Sequence, residues 1–168
     1  YQLLKGTVAP QQRTIETMRL YGVELIGQRF SIVNVLLLQT GSFRYEQDEK
    51  EFELVHMMIQ NVMDELFERI ARISYIYHEQ KTITALMNLS DQCSAQMIQS
   101  RIGAMHRFFQ KQMNMQLAIF VGETVQEAAQ LPAAYSQAEQ AMRYASFKSY
   151  CGVIGYDDIK DEPIGFST

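Results

Sequence analysis

Cysteine and histidine are scarce in this chain, and the few present are scattered. Its two cysteines, Cys93 and Cys151, stand far apart with no C-x-x-C spacing. That pattern offers neither a disulfide framework nor a redox pair, and reduced, partly buried thiols of a cytosolic protein are expected. The three histidines, His56, His78 and His106, fall in three separate segments. No H-x-x-x-H or H-E-x-x-H spacing and no Cys/His cluster joins them, so no metal centre is expected. There is no G-x-S-x-G elbow, no P-loop and no G-x-G-x-x-G fingerprint, which removes the common hydrolase and nucleotide-binding signatures. Apolar runs such as Val35 to Leu38 are far too short to span a membrane, and no secretory signal is visible. Positive charge is also lacking. A net charge of -4 gives no general attraction for nucleic acid, and no helical segment gathers Lys and Arg on one face.

What is present suits one domain. The chain has 168 residues, 47% hydrophobic and 20% charged, enough for a sizeable core in an ordinary globular protein. It begins with Tyr rather than Met, and is expected to be a piece of a longer protein. Its centre is Ile73 to Leu89, two arms rich in β-branched and aromatic residues around the polar tip His78-Glu79-Gln80-Lys81. This reads as a hairpin.

Before the hairpin stand a strand and a helix. Phe30 to Thr40 is near-continuously apolar, as in a central strand covered on both faces. A helix opening among Glu46-Gln47-Asp48-Glu49 should run to about Arg69. Phe52, Val55, Ile59, Val62, Met63, Leu66 and Ile70 form its buried stripe.

Ser90 or Asp91 can cap a second helix reaching about Met113, with Ile98, Ile102, Met105 and Phe109 inward. Met115 to Val121 is the next strand. Glu123 to Gln130 connects it to a third helix from Leu131, whose inward face is Leu131, Tyr135, Ala138, Met142 and Ala145. A turn at Cys151-Gly152 precedes a short strand, Val153 to Tyr156. The ten methionines fall mostly on helix stripes, where Met commonly fills core gaps.

The order strand, helix, hairpin, helix, strand predicts an α/β (α+β) fold of the ferredoxin-like βαββαβ kind, with an extra C-terminal helix and short strand. Residues 1–29 read as a lead-in, in which Pro10 opens a short helix carrying Ile15 and Met18. Gly22 stops that helix, and Gly27 turns the chain into the first strand. Residues 30–159 form the domain, and 160–168 an exit linker.

The segment from Val121 to Ile159 carries a more specific pattern. A strand ending in Gly122 is followed by a connector and then by Leu131, Pro132, Tyr135, Ala138, Ala141 and Tyr144. Gly152 and Tyr156-Asp157-Asp158 come after. The chain here resembles the degenerate GGDEF-like domain of bacterial AraC-type transcription regulators, and Gly22-Val23-Glu24-Leu25 through Phe30 resembles that family's approach to its first strand. The resemblance covers roughly residues 20–160 and rests on packing residues. It implies a nucleotide-cyclase-like sheet, and a relay position between an upstream sensor, often membrane-embedded, and a helix-turn-helix DNA-binding pair after Thr168. DNA would then be a partner only through a domain outside this fragment. The fragment itself would be cytoplasmic, in a full-length protein that the sensor could anchor to a membrane.

The active relatives, diguanylate cyclases, place an Asp at the end of the first strand, and an acidic pair with two glycines at the hairpin. Hard carboxylate oxygens suit Mg²⁺, and glycine lets a nucleotide approach the backbone. Here the strand ends Leu36-Leu37-Leu38-Gln39-Thr40, and the hairpin offers His78-Glu79-Gln80-Lys81. Asp48 and Glu49 are explained by the dipole of the helix they open. The resemblance therefore implies no catalytic residues, no metal and no cofactor.

Two further readings stay open beside the relay. Arg44, Tyr45, Tyr75, Tyr77, His78, Glu79 and Lys81 could frame a pocket for a nucleotide or small anion, the cations holding charge and the tyrosines stacking a ring. The opposing reading makes them half-buried strand residues and solvated turn residues. The first helix's face with His56, Met57, Gln60 and Asp64 could pair with a second copy, or be an ordinary solvent face.

Overall fold

The computed structural model describes residues 26–40, 49–78, 82–148 and 151–159. The elements, in order, are β1 (Arg29–Thr40), α1 (Glu49–Leu66), β2 (Ala71–His78), β3 (Thr82–Leu89), α2 (Ala95–Gln112), β4 (Met115–Val121), a short 3₁₀ turn (Ala128–Gln130), α3 (Leu131–Lys148), β5 (Gly152–Gly155) and the helical turn α4 (Tyr156–Ile159). The lead-in helix, the loop after β1 and the exit tail lie outside the described residues.

The strands form one sheet in the order β2-β3-β1-β4-β5. β1 runs antiparallel to both β3 and β4, β2 antiparallel to β3, and β5 parallel to β4. The first four strands make the expected ferredoxin-like arrangement, and β5 extends it at one edge. The sequence Phe30-Ser31-Ile32-Val33-Asn34-Val35-Leu36-Leu37 reads as near-continuously apolar because both faces of β1 are covered.

Alternation along β1 feeds two cores. Val33, Val35 and Leu37 meet Ile83, Ala85 and Met87 of β3 and Leu117 and Ile119 of β4, under α1 and α2. The stripes Val55, Ile59, Met63 and Ile98, Ile102, Met105, Phe109 seal that face. On the other face Phe30, Ile32, Leu36, Ala118 and Phe120 meet α3 through Leu131, Tyr135, Ala138, Ala141, Met142 and Ala145, with Val125 and Ala128 of the preceding connection joining the cluster.

Several boundaries differ from the sequence reading. α1 stops at Leu66 rather than near Arg69, because Arg69 turns left-handed (φ 68°) and Phe67 folds back as a fully buried core residue. α2 starts at Ala95 with Ser94, not Ser90 or Asp91, as its cap: the Ser94 hydroxyl accepts from Met97 N at 3.1 Å. Tyr156 closes no strand; it opens α4.

Asn88 ties the start of the described chain to the sheet. Its Oδ1 accepts from Ile26 N (2.6 Å) and Gly27 N (3.3 Å), and its Nδ2 donates to Gly27 O (2.9 Å) and Arg29 O (3.2 Å). Gly27 sits so close to β3 that a Cβ there would lie 1.8 Å from Leu89 O. Cys93 is buried and Cys151 half-buried, neither in a disulfide. Burial pushes the Cys93 thiol up, against the pull of Arg29 and Arg101.

Candidate functional site

Leu36 and Leu37, in the second half of β1, are core residues. Leu37 packs under α1 and α2, and Leu36 under α3. Across the hairpin, His78 is the last residue of β2 and pairs with Thr82, the first of β3. Glu79, Gln80 and Lys81 lie outside the described residues, as do Arg44 and Tyr45.

The pleat divides the three described candidates. Tyr75 and Tyr77 point toward α1. The Tyr75 hydroxyl donates to Asp64 Oδ1 at 2.7 Å, and lies 3.3 Å from Gln60 O. The Tyr77 hydroxyl donates to Gln60 Oε1. Burial, then the Asp64 carboxylate, pushes both phenols up, Tyr75 far above the ordinary tyrosine range. His56 stacks on Tyr77 at 4.6 Å, with Phe52 edge-on at 3.9 Å. Only 8% exposed, its imidazole is pushed down by burial. Of the α1 face read as a second copy's docking surface, His56 is buried, Gln60 is half-buried, and Met57 and Asp64 are exposed. His56, Gln60 and Asp64 engage the two tyrosines.

His78 points the other way. Its Nε2 lies 2.9 Å from Thr84 Oγ1, and its ring 6.3 Å from that of Tyr135 on α3. It borders a cavity of about 680 Å³ between the sheet and the second half of α3. Asn34 and Leu36 of β1 with Thr82 and Thr84 of β3 give the sheet side; Tyr135, Glu139, Met142, Arg143, Ser146 and Phe147 give the helix side. The space follows from coverage. Strands about 4.8 Å apart make five of them roughly 20 Å wide, and one helix of about 10 Å cannot cover that.

Asn34 is a feature of this cavity that packing does not explain. It sits opposite Thr84 in the β1–β3 register and is 2% exposed. Its Oδ1 accepts no hydrogen bond among the described residues. A buried amide oxygen left so is costly, and such groups are uncommon in folded proteins. Sequence reasoning passed over Asn34, although a lone amide between Ile32-Val33 and Val35-Leu38 is a visible interruption.

The GGDEF-like domain profile matches residues 5–144. The chain belongs to the GGDEF-like domain family. A crystal structure of the FimX GGDEF domain from Pseudomonas aeruginosa superposes on this GGDEF-like domain with a TM-score of 0.55 at 13% identity, covering 86% of this chain and 92% of that one. At such identity the likeness concerns the fold, and it agrees with the cyclase-like sheet expected from the sequence. No curated protein matches the chain. Among the described residues of this GGDEF-like domain, no three His, Cys, Asp or Glu side chains gather as metal ligands could. No helix described is long and apolar enough to cross a membrane.

Proposed function

We propose that this GGDEF-like domain is a non-catalytic relay within an AraC-type transcription regulator. Its place is between an upstream sensor, membrane-embedded in some relatives, and a downstream helix-turn-helix pair that contacts DNA. The observation that supports the missing chemistry most directly is what replaces the cyclase carboxylates. Leu36 and Leu37, one in each core, stand in the second half of β1, and His78 beside Thr84 stands where β2 enters the hairpin turn. Metal-assisted attack on a phosphate needs hard oxygen donors, and the leucine side chains of β1 supply none. The AraC assignment rests on the run Leu131, Pro132, Tyr135, Ala138, Ala141 and Tyr144. In this reading the domain works in the cytoplasm, and a second copy of the regulator is a partner it could take.

Incubation with GTP and Mg²⁺, followed by chromatography of the nucleotides, tests the first half: GTP should be returned unchanged, and a cyclic dinucleotide product would overturn it. The residues that follow Thr168 test the second half. Two successive helix-turn-helix patterns are expected there, and a different continuation would remove the regulator assignment.

A further inference from the structure

The cavity beneath α3 has the size and lining of a ligand site. About 680 Å³ falls within the range of roughly 300–1,000 Å³ usual for small-molecule pockets, which are mostly apolar with a few convergent polar groups. Leu36 and Met142 supply apolar wall, and Asn34, Thr82 and Thr84 line the sheet side. Among these polar groups the Asn34 amide oxygen is buried and has no hydrogen-bond donor among the described residues.

We propose that this cavity binds a small uncharged ring molecule that donates a hydrogen bond to Asn34 Oδ1 and lays its apolar face along Leu36 and Met142. Charge selects the class. The sheet side carries an amide, two hydroxyls and the His78 imidazole, whose Nε2 is already taken up by Thr84 Oγ1 at 2.9 Å, while the charged lining residues, Glu139 and Arg143, sit one helical turn apart on α3 with opposite signs. Arg143 is exposed, so an anion would find one solvent-screened cation with a carboxylate beside it. A neutral ring avoids that conflict and satisfies the buried acceptor. Two sources share this chemistry, a free heterocyclic base and a pyranose sugar. The site lies on the sheet face opposite Tyr75 and Tyr77, and its occupancy does not depend on whether the domain relays a signal to DNA.

The test uses the 168-residue chain with adenine, methyl-β-glucopyranoside and inorganic phosphate at millimolar concentration, read by melting temperature and by the side-chain amide resonance of Asn34. Adenine or the glucoside should raise the melting temperature saturably and shift that resonance, which also tells the two sources apart. Asn34→Leu should abolish the response while raising the ligand-free melting temperature by about 2–4 °C, because the unpaired amide oxygen is removed. Should Asn34→Leu misfold, Ser146→Phe, at an exposed lining position, should block the response without unfolding the chain. Silence toward both neutral probes, a response to phosphate alone, or a neutral-probe response that survives in the folded variant would each overturn the proposal.

Discussion

His56 carries a titratable ring into a place that disfavours its charge. Wedged between Phe52 and Tyr77, it has its pKa lowered by burial, and His106 is lowered too, by burial and then by Arg107. Both imidazoles take up a proton more readily once the chain unfolds. Stability from each is therefore full above the unfolded value, about 6.5, and falls as pH drops through the lower folded value. The urea midpoint should decline between about pH 7 and pH 5, and His56→Phe should flatten part of that slope while keeping the ring contacts. An unchanged slope in that variant would show that His56 does not titrate differently on folding. Asn88 is the contrasting polar residue, buried with four hydrogen bonds satisfied. Asn88→Ala should cost about 2–3 kcal/mol in denaturant unfolding, since it strands the Ile26 and Gly27 amides at the entrance to β1.

Elements were legible in the sequence where burial is periodic, and misread where one backbone angle decides. The stripe Ile98, Ile102, Met105 and Phe109 is buried as its spacing required. The end of α1 depended on Arg69 adopting a positive φ, which no apolar pattern announces. The start of α2 depended on which of several polar residues met the Met97 amide; Ser94 does, while the buried Ser90 hydroxyl finds no partner among the described residues. For the site, strand alternation alone places Tyr77 and His78 on opposite faces, so their separation could have been read from adjacency. The cavity could not, because among the described residues it arises from one long helix, α3, on a face whose opposite side carries two. Small residues make that single helix fit. Ala138 and Ala141 lie buried against β1 and β4, so Ala138→Leu should cost about 1–3 kcal/mol by overpacking. Ala133→Leu, on the exposed side of α3, should be close to neutral in the same urea titration.

At the scale of the molecule, β1 is the shared wall of both cores, giving Val33, Val35 and Leu37 to one and Phe30, Ile32 and Leu36 to the other. Neither helix layer can lose its sheet face without exposing hydrocarbon on a strand the opposite layer also needs. A relay requires such a block, because a push on one end reaches the other only if the body between does not yield. Two truncations at distant positions test it. Phe109→Ala empties part of the two-helix core and Leu131→Ala part of the one-helix core, each expected to cost about 2–5 kcal/mol. Both variants should unfold in a single transition, with far-UV circular dichroism and tyrosine fluorescence coincident and the urea m-value unchanged. The tyrosines make that comparison sensitive, since Tyr75 and Tyr77 report the α1 side and Tyr135 the α3 side. Separate midpoints for the two probes in Leu131→Ala would mean that α3 detaches alone, and a domain with that weakness would transmit nothing from one end to the other.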